Sequence, residues 1–173
     1  MTLANALTVA RALLVIPVIG LIAIGDASLA LLVFAGAAAT DALDGPLARR
    51  RGATAVGAAL DPLADKILVV GTLAALALRG IAPAWAVLLI LARELIAIEV
   101  RARAPHALAA SADGKAKTVL QVAAVALLLA TAAWPAAGLT TVANAVLLTA
   151  TALTVLSGVR LVLRAKQTTA HPA

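Results

Sequence analysis

Four aspartates stand inside the apolar part of this chain: Asp41, Asp44, Asp61 and Asp65. The chain has only eight Asp and Glu residues, so half of its acid falls within one short stretch. An ionised carboxylate in hydrocarbon costs at least about 2.5–3.5 kcal/mol, and four together also repel one another. They need positive charge, and a divalent metal supplies it most simply. Asp41 and Asp44 are spaced i, i+3 and Asp61 and Asp65 i, i+4, so on helices each pair shares a face. Two such faces turned together present four hard oxygen ligands. Oxygen-only ligation selects Mg²⁺, Mn²⁺ or Ca²⁺ over zinc, and Mg²⁺ typically keeps waters and binds substrate phosphates. Four carboxylates have room for two ions, which would bridge and neutralise a diphosphate during displacement. Gly45 leaves space for a ligand beside the backbone, and Arg49 offers a planar fork to phosphate oxygens.

The elements that must position these residues are membrane helices. The 173 residues are 64% hydrophobic, with a mean hydropathy of +1.08, well above the roughly one-half apolar content of soluble domains. There is no cysteine, which removes disulfides and thiolate metal sites. Three aromatic residues are too few for a base-stacking platform, and the net charge of +6 reads as topology and anionic headgroups or substrates, not nucleic acid. The N-terminus lacks the charged n-region of a secretory signal. Apolar runs predict an all-α membrane domain over 1–166 with six transmembrane helices, followed by a polar, frayed tail over 167–173. The expected spans are Leu7–Ile24, Ala27–Leu47, Ala58–Leu78, Pro83–Val100, Thr118–Trp134 and Leu139–Leu163. Pro17 is expected to kink the first, and the many Ala and Gly residues to let helices approach closely. Trp85 and Trp134 read as interfacial anchors.

Lys and Arg gather in the second-to-third loop, the fourth-to-fifth loop and the C-terminal end, whereas the opposite loops hold only Arg79. By the positive-inside rule both termini are cytoplasmic, in a multi-pass protein of the cell membrane. Asp41 lies eight residues before Arg49, and Asp65 eight after Gly57, which at 1.5 Å per residue puts both roughly 12 Å in from the cytoplasmic ends. Arg93 and Glu94 share that depth on the fourth span, and Arg11 enters from the same side. Taken singly, each such residue could snorkel or neutralise a neighbour. A shared depth and paired spacing point instead to one cytoplasm-facing site. A divalent-cation transporter is the rival from another class, but it would favour the midplane and inverted repeats, and the sequence has neither.

The pattern Asp41-x2-Asp44-Gly45-x2-Ala48-Arg49-x7-Gly57-x3-Asp61-x3-Asp65 resembles the signature of the CDP-alcohol phosphotransferases, membrane enzymes that move a phosphatidyl group from a CDP-linked lipid to an alcohol and release CMP. One residue fewer than usual separates Arg49 from Gly57, at the turn around Gly52 where a deletion is most easily absorbed. The resemblance implies that Asp41, Asp44, Asp61 and Asp65 ligate metal, Mg²⁺ or Mn²⁺ and two ions, with Asp65 also the general base. It implies that Gly45, Arg49, Thr54, Asn5 and Thr8 contact the CDP-lipid, although Asn5 and Thr8 suit helix caps equally. Further similarity lies in Asn5-x2-Thr8-x2-Arg11, Asp61-Pro62-Leu63-Ala64-Asp65-Lys66, Ala92-Arg93-Glu94 and Gly114-Lys115-Ala116-Lys117-Thr118. These favour the bacterial phosphatidylglycerophosphate synthase branch, whose donor is CDP-diacylglycerol and whose acceptor is glycerol 3-phosphate. Inositol phosphate, phosphatidylglycerol, serine and amino alcohols are the alternative acceptors. An acceptor phosphate would need cations, and Arg93, Arg101, Lys115, Lys117 and Arg160 lie on the correct side, where positive-inside topology alone also places such residues. Glu94 and Glu99 are candidate partners for Arg93, and His106 reads as a solvated loop residue. A homodimer is also implied by the resemblance.

Overall fold

The computed structural model describes the backbone of residues 9–50, 55–103 and 112–170, and the side chains of 9–40, 66–100 and 117–164. Among the described residues the chain is all-helical. Six helices follow one another: α1 (Val15–Ile24), α2 (Ala27–Arg50), α3 (Ala55–Leu78), α4 (Ala84–Arg103), α5 (Ala112–Ala133) and α6 (Ala137–Ala170). Among the described residues the expected order and number of helices are therefore found. A helical lead-in from Val9 precedes α1 and leaves regular geometry at Leu14. Pro17, three residues on, has no N–H for the Leu13 carbonyl and its ring crowds that turn, so the irregularity falls where the proline predicts it.

Most helices outrun the apolar segments that announce them. α2 continues to Arg50, α4 to Arg103, and α5 begins at Ala112, six residues before the expected start at Thr118. A hydropathy reading stops at the first charges, but Lys and Arg are good helix formers and the backbone continues through them. The same holds for α6, which runs past Gln167 to Ala170. Where helices do end, the cause is local. Gly25 adopts φ +88°, a left-handed geometry open to glycine, and its N–H reaches back to the carbonyls of Leu21 and Ile22. Asp26 then caps α2 by accepting from the Leu29 N–H at 3.0 Å. Gly80, at φ +71°, closes α3, and Pro83 sits just before α4 with its carbonyl accepting from Ala86 and Val87.

The core is built from Phe34, Leu73, Leu76, Ile90, Leu128, Leu129 and Leu147, all fully buried. α5 lies along α6 and also meets α2 and α3, while α1 packs on α2 and α3. One contact there is tight: a Cβ at Gly71 of α3 would stand 2.6 Å from Cγ2 of Val15 of α1, so the helices approach closely at a glycine as the composition suggested.

Polarity is distributed inside out. Leu13, Ile16, Leu32, Leu78, Leu88, Leu95, Leu156 and Leu163 are exposed, as are Trp85 and Trp134. Thr72, Glu94, Lys117, Gln121, Thr151 and Thr154 are buried. Ala137–Arg164 is long and apolar enough to cross a membrane, and shorter apolar helical stretches cover Val9–Ile24, Ala27–Thr40, Lys66–Leu78 and Lys117–Ala133.

Candidate functional site

Asp41 and Asp44 lie in α2, and Asp61 and Asp65 in α3. The backbone is helical through both pairs, so the i, i+3 and i, i+4 spacings do put each pair on one helix face. Their side chains fall outside the described residues, as do those of Arg49, Arg101 and Lys115 and the Gly45 surroundings. Asn5, Thr8, Thr54 and His106 lie outside them altogether. Among the described residues no three His, Cys, Asp or Glu side chains gather. The donor chemistry of the four aspartates, oxygen alone on two continuous helices, fits a hard divalent cation.

One residue past Asp65 the side chains are described, and they form a buried ionic cluster around Glu94. Glu94 is 4% exposed, in the middle of α4. Lys117 of α5, itself 5% exposed, donates from Nζ to Oε1 of Glu94. Arg93 donates to the same oxygen from Nη1 at 2.9 Å. Lys66 of α3 brings its Nζ to 2.5 Å from Oε2, an ion pair without directed hydrogen-bond geometry. A lone carboxylate at this depth would be costly, and three cations offset that cost. The balance is asymmetric: these four side chains carry three positive charges and one negative.

Arg93 is held from a fourth helix as well. Its Nη2 donates to Oγ of Ser157 on α6 at 2.7 Å. Gly158, the next residue, is where the Arg93 stem passes: a Cβ there would stand 2.8 Å from Arg93 Cγ. The Nε of Arg93 is buried without a hydrogen-bond partner among the described residues. Behind the cluster, Nε2 of Gln121 donates to Oγ1 of Thr154 at 3.0 Å and ties α5 to α6.

Of the five cations expected to meet an acceptor phosphate, Arg93 and Lys117 are thus brought together on Glu94, the partner anticipated for Arg93. Arg160 is exposed, one turn beyond Ser157 on α6. Sequence reasoning missed Lys66, Ser157 and Gly158. Lys66 carried a signal, as the residue adjoining Asp65. The Ser-Gly step within an apolar helix was a weaker one.

Comparison with known proteins agrees with the signature. The CDP-alcohol phosphatidyltransferase family model matches residues 1–159. A Mycobacterium tuberculosis protein named "Probable phosphatidylglycerophosphate synthase" is 42% identical over 100 residues, 56% of this chain and 48% of that protein. The Bacillus subtilis "CDP-diacylglycerol--glycerol-3-phosphate 3-phosphatidyltransferase" is 39% identical over 120 residues, 64% of this chain and 62% of that one. A Streptomyces coelicolor "Cardiolipin synthase (CMP-forming)" is 47% identical over 66 residues, 38% of this chain and 31% of that protein. The chain spans about half the length of the curated relatives it matches. With a family model covering most of its length, the chain belongs to the CDP-alcohol phosphatidyltransferase family.

Proposed function

We propose that this protein transfers a phosphatidyl group from CDP-diacylglycerol to glycerol 3-phosphate and releases CMP, as a step in phospholipid biosynthesis. The observation that carries the acceptor side is the charge of the buried cluster. Among the described residues Lys66, Arg93 and Lys117 converge on the single carboxylate of Glu94, leaving two positive charges in excess within these four side chains and a buried Arg93 N–H without an acceptor. A phosphate monoester dianion matches that excess, and a neutral alcohol does not.

In this reading six helices span the cell membrane with both termini in the cytoplasm, and the site opens to that side. The inside-out polarity supports it, since exposed leucines suit acyl chains and buried polar groups must find partners within the bundle. The acyl chains of the donor lie in the bilayer. Gly45, Arg49 and Thr54, with Asn5 and Thr8, hold the CDP moiety, and Arg93 and Lys117 take the acceptor phosphate, with Arg101, Lys115 and Arg160 at the entrance. Asp41, Asp44, Asp61 and Asp65 would hold Mg²⁺ or Mn²⁺, two ions by ligand number. Bound there, such ions would neutralise charge on the diphosphate and favour loss of the acceptor hydroxyl proton. Asp65 removes the proton of the acceptor hydroxyl. The freed oxygen attacks the β-phosphorus, the phosphate carrying diacylglycerol. The bond from that phosphorus to the bridging oxygen breaks, and the electron pair leaves with CMP. A homodimer is part of the proposal.

The likeness to a protein named cardiolipin synthase favours one second reading, with phosphatidylglycerol as acceptor. An acceptor screen with CDP-diacylglycerol and Mg²⁺ or Mn²⁺, following CMP release, separates the two. Glycerol 3-phosphate is expected to give the highest kcat/KM. Preference for phosphatidylglycerol would replace the first reading by the second, and metal flux in proteoliposomes without CMP release would replace both by a transporter.

A further inference from the structure

We infer that Glu94 is a positioning residue: it fixes the cations of three helices in the geometry that receives the acceptor phosphate, with Ser157 and Gly158 seating Arg93 from a fourth. This rests on the acceptor reading above. Glu94 cannot be the phosphate ligand, because a carboxylate repels a phosphate. Nor does its burial suit a topology residue, since it sits at 4% exposure among three cations. Without Glu94, Lys66, Arg93 and Lys117 would be like charges around a buried void, and long flexible side chains would separate. With it, both oxygens are engaged, Oε1 by Lys117 and Arg93 and Oε2 by Lys66. Lys66 directly follows Asp65, so the carboxylate also pins the part of α3 that carries the proposed base.

Arg93 shows what the arrangement leaves available. Its Nη1 is taken by Glu94 and its Nη2 by Ser157, while Nε has no partner among the described residues. Any side chain at position 158 would press on the Arg93 stem at Cγ, close to the backbone, where the residue has little freedom to yield. The guanidinium is therefore oriented by its own helix α4 and by α6 before any ligand arrives, and preorganisation of this kind lowers the cost of binding.

The test is steady-state CMP release by the full-length protein in nanodiscs, with glycerol 3-phosphate and CDP-diacylglycerol varied separately. Glu94→Gln is expected to raise the acceptor KM by about tenfold or more, as loss of a buried charge partner does, and to leave the donor KM within about twofold. Glu94→Asp, which keeps the charge, is expected to recover part of that loss. Ser157→Ala, which removes one hydroxyl and little packing, is expected to raise the acceptor KM about threefold, and it reads the same geometry should Glu94→Gln not fold. Equal changes in both KM values, or a loss confined to thermal stability, would assign Glu94 a structural role and overturn the proposal. An unchanged acceptor KM in Ser157→Ala would remove the Arg93 seat from it. A wild-type protein that releases no CMP with any phosphorylated acceptor would overturn the functional reading and this one with it.

Discussion

The two charged regions of this molecule are assembled in opposite ways. The four aspartates come as two pairs, each within five residues of one helix. The cation cluster draws Lys66, Arg93, Lys117 and Ser157 from four helices, and the first and last are separated by about half of the chain. The aspartate pairs are set by helical pitch, so any continuous helix through them reproduces the spacing. The cluster exists only if α3, α4, α5 and α6 pack in one register. A single residue step, Asp65 to Lys66, joins the two regions. The aspartate region should therefore fail through lost chemistry, and the cluster through lost geometry.

The largest expected effect is on the aspartate side. Asp65→Asn should lower CMP formation by about 10³-fold or more, since general-base catalysis alone contributes 10²–10⁴-fold and the proposed role of Asp65 as base and metal ligand would be lost together. Binding of CDP-diacylglycerol, followed by equilibrium dialysis or quenching, should largely persist. Near-normal turnover in that variant would move the base elsewhere. Chelation with EDTA should abolish activity in the same way, with recovery on adding Mg²⁺ or Mn²⁺, and should lower the melting temperature, because the four carboxylates then repel one another with no cation between them.

Next comes the cluster itself. Lys117→Ala should raise the acceptor KM by about 10–100-fold, because it removes a buried cation and leaves Glu94 less compensated. The preference for a phosphorylated over an unphosphorylated acceptor should shrink in the same variant. Retention of that preference would place the phosphate elsewhere. Gly158→Ala should act more mildly, raising the acceptor KM a few-fold as the new methyl displaces the Arg93 stem.

The smallest functional effect is expected in the apolar half. Gly71→Val places a branched side chain where Val15 Cγ2 already stands 2.6 Å from an added Cβ, and overpacking of this kind costs about 1–3 kcal/mol. Melting temperature should fall while both KM values stay near wild type. A change in KM as large as that of Gly158→Ala would mean that the two halves are not separable.

Much of the fold was legible because apolar runs and their breaks are local. Gly25, Gly80 and Pro83 end or begin helices through their own backbone chemistry, so the turns fall where those residues stand. The helix ends beyond the turns were not legible in the same way, because hydropathy reports where the chain suits hydrocarbon and not where its hydrogen bonds stop. The helices run through Arg49 to Arg50 and through Arg101 to Arg103, past the first charges.

The sequence by itself determined the chemistry available: carboxylate pairs at helical spacing, no cysteine, and basic residues on one side of the predicted spans. Those properties depend on residue type and on separations of a few residues, which helical geometry converts directly into distance. Only the tertiary structure decided which cations converge. Arg93, the deepest of five candidate cations, and Lys117, one of the other four, were not paired until packing placed both on Glu94, added Lys66, and brought Ser157 and Gly158 of α6 against Arg93. The reason is that a buried carboxylate selects its partners by reach and register across helices, and no spacing along one chain encodes that.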